Sequence, residues 1–192
     1  MLILVLGLIV FLGVHSVRIY ADNWRTTRIT RIGILPWKAI FSLLSLIGLL
    51  LIIWGYGEAR QSTAVLWTPP LWTRHLAALL MLPAFILLLA TYLPPSRIKA
   101  MAGHPMLLSV KLWALAHLLA NGSFADLWLF GAFLLWAVVD FAVSRRRDRR
   151  LGMRRPAGNL QGDIQVIIAG TLAWALFAFY LHGPLFGVKP FI

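Results

Sequence analysis

The stretch LILVLGLIVFLGVHSVRIY, residues Leu2–Tyr20, has no ionisable side chain before His15 and no fixed charge before Arg18. About 20 apolar residues in a helix cross the hydrocarbon core of a bilayer, so a run of this length predicts a membrane-spanning helix. The run is continuously apolar rather than alternating, which argues against a strand of a membrane barrel. It therefore predicts the first helix of an all-α membrane protein.

Five further apolar runs follow, and together they predict a polytopic helical bundle of about six transmembrane helices. The runs are Pro36–Gly57, Leu71–Leu93, Pro105–Ala120, Phe124–Val143 and Ile164–His182. The composition agrees, because 60% of the chain is hydrophobic and only 12% is charged, about half the charged share of a soluble domain. The length suits one domain, so we expect a single integral membrane domain over residues 1–192.

Composition also excludes several kinds of site. The chain has no cysteine, which excludes disulfides, iron–sulfur clusters, thiolate zinc sites and covalently attached c-type haem. Any metal must therefore be held by His, carboxylate, Met or Tyr. The net charge of +12 could suggest nucleic acid, but the cations lie between apolar runs. We expect no nucleic-acid partner and instead a lipid bilayer with basic loops at one face.

The distribution of cations predicts the orientation. Five cations lie within residues 18–38, two within 97–99 and seven within 145–155, whereas the opposite side holds only Arg60, Arg74 and Lys189. Basic loops stay in the cytoplasm, so the loop at 21–35 and the Arg-rich loop near the C-terminus face the cytoplasm. Both termini are then periplasmic, in a multi-pass membrane protein.

Polar groups inside the spans are the candidates for function, because burying them is unfavourable unless they have partners. The candidates are His15, Arg18, His75, His104, Lys111, His117, Asp140, Gln165 and His182. Three of the histidines, His75, His117 and His182, lie near the periplasmic ends of their spans. The other candidates lie in the cytoplasmic half. Spacings of three and seven residues place His15 with Arg18, and His104 with Lys111, on shared helix faces.

Each candidate also has a structural interpretation. Lys111 and Asp140 can form an ion pair that links two neighbouring helices. Arg18 can extend its side chain so that the guanidinium reaches the membrane–water interface. His75 and His182 can be ordinary hydrogen-bonded residues at span ends, or can join His117 in a second metal site. The run Arg145–Arg155 can anchor the topology and meet anionic lipid.

Several stretches resemble a known family over nearly the whole chain. They are Gly13-Val14-His15-Ser16-Val17-Arg18, Gly103-His104-Pro105-Met106-Leu107-Leu108, Leu112-Trp113-Ala114-Leu115-Ala116-His117-Leu118-Leu119-Ala120-Asn121-Gly122, and Phe130-Gly131-Ala132-Phe133 followed by Trp136-Ala137-Val138-Val139-Asp140. This pattern resembles the NnrU family of bacterial membrane proteins. The resemblance implies a link to denitrification and nitric oxide metabolism, with nitrogen-oxide reductase machinery as a possible partner. It also implies a relation to 15-cis-ζ-carotene isomerase, a plastid membrane enzyme that holds b-type haem through histidines.

The resemblance suggests haem b as a cofactor, and the depths of the histidines suggest its ligands. His15 and His104 lie at similar depth in the cytoplasmic half, so we expect them to ligate the iron, with His117 as the competing second ligand. Arg18 and Lys111 are the cations near the expected propionates. No catalytic residue is assigned. A haem-dependent carotenoid-type isomerase and a non-catalytic membrane assembly or regulatory factor remain the alternative functions.

Overall fold

The computed structural model describes residues 1–191, and this part of the chain is built from helices without a strand. The helices are α1 (Leu2–Tyr20), α2 (Asp22–Ile32), α3 (Ile34–Ser62), α4 (Leu71–Tyr92), α5 (Arg97–Ala102), α6 (Pro105–Ala120), α7 (Phe124–Arg150), α8 (Leu160–Leu176) and α9 (His182–Phe186), and a π-helical segment, Phe177–Leu181, joins the last two. The prediction of an all-α bundle is confirmed.

Five helical stretches are long and apolar enough to cross a bilayer. They are α1, α3, α4, α7 and the stretch Leu160–Phe186. The remaining predicted span, α6, has 16 residues and is about 24 Å long at 1.5 Å per residue. It is shorter than a hydrocarbon core of about 30 Å.

The outward surface of α3 shows what surrounds these helices. Leu43, Leu46, Leu50 and Ile53 are each more than half exposed. Their spacing of three and four residues places them in one stripe along the helix. A continuous exposed stripe of large aliphatic side chains marks an interaction with apolar material, and lipid is the partner that suits a chain with several apolar spans.

The chain divides into two compact units that share α7. Unit 1 comprises Met1–Leu66 and Ser123–Trp136, and unit 2 comprises Trp67–Gly122 and the chain from Ala137 onwards. The first half of α7 therefore belongs to unit 1 and its second half to unit 2. Each unit has its own helix packing.

Glycines set the packing of unit 1, in which α1 lies directly against α3. A Cβ added at Gly7 would lie 2.6 Å from the backbone nitrogen of Ile52, and one added at Gly48 would lie 2.7 Å from that of Phe11. Gly55 approaches the Leu4 backbone in the same way. Small residues allow backbones in a membrane to approach closely, which increases van der Waals contact.

Unit 2 packs α4 against α6 and α8. A Cβ added at Gly170 would lie 2.6 Å from the Cα of Ile86, so α8 also meets α4 through a glycine. The indole Nε1 of Trp174 donates a hydrogen bond of 3.1 Å to the Ala78 carbonyl of α4. Pro83 lies inside α4 near this contact. Pro83 has no N–H and leaves the Leu79 carbonyl without its helical donor, so the Trp174 bond to Ala78 ties α8 to α4 without replacing that donor.

Two segments predicted as loops are helices. Residues 22–32 form α2, in which Arg25 pairs with Asp22 at 3.7 Å, and the helix ends at Gly33 with φ +88°. Ser96 caps α5 by accepting a hydrogen bond from the Lys99 backbone N–H. The prediction of loops was wrong here because low hydropathy only indicates that a segment does not cross the membrane, and polar segments can still be helical.

Two helices also extend beyond the apolar runs that predicted them. The α3 helix continues from Gly57 to Ser62, and α7 continues from Val143 to Arg150. Glu, Ala, Gln and Arg are good helix formers. Hydropathy therefore marks where a helix leaves the hydrocarbon, while the helix itself ends later.

Reporter fusions test the orientation that the cations predict. We expect fusions after Arg31, Lys99 and Arg150 to report cytoplasm, and fusions after Gln61 and Asn121 to report periplasm, because basic loops resist translocation. A fusion at the C-terminus should also report periplasm. A cytoplasmic result at the C-terminus together with a periplasmic result at residue 1 would contradict six crossings.

Candidate functional site

His15 lies on α1 in unit 1 and is half-buried in an aromatic environment. Its ring stacks on Phe11 with centroids 4.3 Å apart. It also meets Phe41 and Trp136 edge-on, at centroid distances of 5.0 and 6.1 Å. The contributing side chains come from α1, α3 and the first half of α7. The imidazole is therefore held in apolar surroundings by three helices of one unit.

One hydrogen bond assigns the tautomer of His15. Its Nδ1 lies 2.7 Å from the carbonyl oxygen of Phe11. A carbonyl oxygen only accepts, so Nδ1 carries the proton and Nε2 carries the lone pair of the neutral ring. Histidines that bind metals commonly donate their other ring N–H to a carbonyl in this way, which fixes the ring and raises its basicity.

Trp136 contributes a buried polar group without a partner. Its indole Nε1 is fully enclosed and has no hydrogen-bond acceptor among residues 1–191. A buried donor without an acceptor is unfavourable by about 1–3 kcal/mol. Because this nitrogen is also closed off from solvent, an acceptor atom of a ligand could reach it only after a neighbouring side chain moves.

These features are compatible with His15 as the ligand of a haem iron. An imidazole with its lone pair at Nε2, aromatic neighbours and an orphan donor all suit a non-covalent haem. Arg18 lies one turn further along, in the last turn of α1. His15 would ligate the iron, and the Arg18 guanidinium would be the charge available to a propionate.

His104 lies in unit 2, where its Nε2 already has protein partners. It lies 2.9 Å from Oδ2 of Asp148 and 3.1 Å from Nη2 of Arg155, and Arg155 also pairs with Asp148. Burial lowers the pKa of His104, and the Asp148 carboxylate opposes this shift. An iron at Nε2 would have to displace these partners, so the local chemistry of His104 suits a ligand less well than that of His15.

Lys111 shares a face with His104, as the spacing predicts, but it does not pair with Asp140. Its Nζ lies 3.9 Å from the centroid of Phe141, and the His104 ring meets the same phenyl ring at 6.1 Å. Asp140 instead accepts a hydrogen bond from Ser144. The predicted ion pair is wrong because consecutive helical residues point about 100° apart. The face that presents Phe141 to Lys111 therefore turns Asp140 elsewhere.

His117 has the same local hydrogen bond as His15. Its Nδ1 lies 2.8 Å from the Trp113 carbonyl, and its ring stacks with that of His182 at a centroid distance of 6.5 Å. His75 is exposed on α4. Within residues 1–191 no group of three or more His or carboxylate side chains could hold a metal ion, so the alternative of a metal site made of His75, His117 and His182 is not supported.

Sequence reasoning missed a buried network around Asp126. This carboxylate is 6% exposed and accepts hydrogen bonds from Tyr56 at 2.5 Å and from the Ser123 backbone and hydroxyl at 2.9 and 2.6 Å. The Ser123 hydroxyl in turn accepts from the Asp126 N–H. This reciprocal arrangement is a capping box at the start of α7. The Ser-x-x-Asp spacing was the available signal, whereas Tyr56 could only be found from the structure.

The long apolar helices, and the few polar side chains that they hold among aromatic residues, define a polytopic membrane protein. Comparison with known families matches residues 3–190 to the family described as NnrU protein. The chain belongs to the NnrU family, and the resemblance drawn from its motifs is confirmed. No curated protein and no solved structure matches it.

Proposed function

We propose that this NnrU-family protein binds haem b through His15 in the bacterial inner membrane and acts in nitrogen-oxide metabolism. The observation that carries the proposal is the hydrogen bond from His15 Nδ1 to the Phe11 carbonyl. It presents the Nε2 lone pair within an aromatic surround. Spans that bury a polar ring usually give it a function or a partner.

The residues around His15 would act as supports for the cofactor. The Phe11 carbonyl fixes the ring orientation and the tautomer, and Phe41 restricts the ring from the side. The aromatic walls exclude water, which strengthens electrostatic interactions within the site. The indole N–H of Trp136 would be a donor to an acceptor atom of a bound group if a neighbouring side chain moved to admit it.

The second iron ligand stays a prediction from the sequence, with His104 first and His117 as the competitor. Their local hydrogen bonds differ. The Nε2 of His104 is engaged by Asp148 and Arg155, while the Nδ1 of His117 donates to a backbone carbonyl as that of His15 does. Single alanine variants of the two histidines, compared for haem content, would separate them.

The link to nitrogen oxides comes from the family resemblance and from the chemistry of the cofactor. When bound, haem b would supply an iron that exchanges one electron and has affinity for nitric oxide. The role of this protein would be to hold that iron inside the membrane. A nitrogen-oxide reductase in the same membrane is the partner that this role implies.

Complementation tests the proposal in the bacterium that carries the gene. We expect a deletion strain grown anaerobically on nitrate to consume nitric oxide more slowly, and the wild-type gene to restore the rate. His15→Ala should fail to restore it at equal membrane abundance, whereas His75→Ala should succeed because His75 is exposed on α4. Full restoration by His15→Ala would contradict the haem role and favour a non-catalytic assembly factor.

Replacing Trp136 by Phe should affect haem retention more than it affects the stability of the haem-free protein. The variant removes the orphan N–H, which relieves about 1–3 kcal/mol, but it also loses the packing of one ring, a cost of similar size, so we expect the free energy of unfolding to change by less than about 1 kcal/mol. The haem-loaded variant should lose haem faster to a globin scavenger, because the donor to the bound group is missing. Thermal unfolding and haem transfer measure the two effects.

The control for this prediction is Trp72→Phe, because Trp72 is exposed at the start of α4. It should change neither quantity measurably. Equal rates of haem loss from the wild type and from Trp136→Phe would show that the indole N–H does not contact the cofactor.

A further inference from the structure

We propose that a basic cluster in unit 2, made of Arg145 and Arg155 beside Gly103 and of Lys99, which lines a cavity with Gly103 and Arg155, binds the phosphate of an anionic phospholipid headgroup. The proposal does not depend on haem binding. It rests on the convergence of the cations, on the small negative charge that balances them, and on the cavity beside them.

Two guanidinium groups converge on the Cα of Gly103. The point that a Gly103 Cβ would occupy lies 2.8 Å from Nη1 of Arg155 and 2.9 Å from Nη1 of Arg145. The two nitrogens are therefore within about 6 Å of each other, a separation at which like charges repel unless an anion is close to both. Gly103 has φ +73°, so the backbone here favours glycine and leaves this space to the arginines.

The protein supplies little negative charge to this place. Asp148 is the carboxylate that pairs here, and its Oδ2 is shared between Arg155 and His104. No carboxylate of residues 1–191 pairs with Arg145 or Lys99. Asp148 is therefore the carboxylate that pairs beside the two arginines, while Asp163 pairs with Arg97, and an external anion would balance the excess positive charge.

Lys99 is held in place with part of its donor capacity unused. Its Nζ donates to the carbonyls of Thr91 and Leu93, at 2.9 and 3.1 Å. These carbonyls lie at the end of α4, where a cation is favoured by the helix dipole. An ammonium has three donors, so one remains for another acceptor.

A cavity adjoins the cluster and indicates the kind of anion. Its volume is about 210 Å³, and both Lys99 and Arg155 line it. Much of the remaining wall is apolar, including Pro95, Ala100 and Pro156. Free inorganic phosphate would gain nothing from apolar walls, whereas a phosphate ester can place its carbon-bearing part against them.

The position of the cluster in the sequence makes lipid the source of that ester. Arg145 follows the predicted end of the apolar run at Val143 within the same helix, and Lys99 lies seven residues after the end of α4. Both positions are expected near the membrane surface, where phospholipid headgroups lie. Basic pockets between transmembrane helices are known to accept anionic headgroups.

The test measures lipid binding to the detergent-purified full chain by native mass spectrometry and by thermal shift. Phosphatidylglycerol should bind and raise the midpoint, while phosphatidylcholine and inorganic phosphate at the same concentration should not. We expect Arg145→Gln to weaken phosphatidylglycerol binding about tenfold, the effect of losing one charge-assisted hydrogen bond. Arg149→Gln is the matched control, since it removes the same charge from the same helix, and should change binding by less than about twofold.

A second variant addresses the geometry directly. Gly103→Ala should displace both guanidinium groups and weaken binding at least as much as Arg145→Gln does, provided that gel filtration and circular dichroism show a folded protein. If it does not fold, Arg155→Gln takes its place.

Four results would overturn the proposal. They are equal binding of phosphatidylcholine, binding of inorganic phosphate as tight as that of the lipid, an equal loss in Arg149→Gln, and a parallel loss of haem in Arg145→Gln. The last would assign the cluster to a haem propionate.

Discussion

Replacing Gly48 by Val should separate α1 from α3 and destabilise the protein by about 3 kcal/mol or more, a value at the upper end for overpacking. A Cβ at this position would lie 2.7 Å from the nitrogen and 2.9 Å from the Cα of Phe11. These atoms belong to the backbone, so a rotamer change cannot relieve the clash. The helices must move apart, and their close contact along the glycines would be lost.

The same substitution should weaken haem retention, because Phe11 supports His15. Its carbonyl accepts the Nδ1 proton of His15, and its ring stacks on the imidazole. Displacing Phe11 therefore moves the proposed ligand. Unfolding in mixed detergent micelles measures the stability, and haem content per chain measures the second effect.

Gly57→Val is the control for Gly48→Val. Gly57 lies on the same helix, and a Cβ added there would meet no atom within 4 Å beyond its chain neighbours and its own helix backbone. Its free energy of unfolding should change only by the small difference in helix propensity between Gly and Val, which is a few tenths of a kcal/mol in either direction. Equal effects of the two substitutions would show that the α1–α3 contact does not depend on close backbone approach.

Replacing His15 by Ala should abolish haem binding while the protein still inserts and folds. The substitution removes the Nε2 lone pair and leaves a space enclosed by Phe11, Phe41 and Trp136. Added imidazole can enter such a space and restore a ligand without restoring the side chain. We therefore expect the Soret band to disappear in the variant and to return in part with imidazole.

His75→Ala is the matched control for His15→Ala, because it also removes one histidine from a span. His75 is exposed, so this variant should keep the wild-type spectrum. Unchanged Soret absorbance in His15→Ala at equal protein would remove His15 from the site and would leave haem binding supported by family resemblance only.

The sequence predicted where the apolar helices lie better than it predicted where helices end. The run Leu2–Tyr20 and the run Pro105–Ala120 coincide with α1 and α6. The α2 helix was missed because its Arg and Thr residues carry no apolar signal. A helix that lies in lipid can be predicted from its apolar composition. A polar helix at the surface is instead stabilised by caps and local pairs such as Arg25 with Asp22, which composition does not indicate.

The candidate site was predictable in its residue types and less so in its chemistry. Helical spacing correctly placed His104 and Lys111 on one face, and both meet Phe141. Spacing could not show that Asp148 and Arg155 engage His104, since these residues follow it by more than 40 positions. The tautomer of His15 depends on one backbone carbonyl, and the orphan indole of Trp136 depends on what surrounds it. Neither property can be predicted from the sequence.

The absorption spectrum of the wild-type protein, purified from haem-replete cells, decides whether this chain holds haem. We expect a Soret band and, after extraction into alkaline pyridine, the spectrum of haem b at about one haem per chain, since the site has no cysteine for covalent attachment. A folded, colourless protein that also fails to take up added haem would contradict the account.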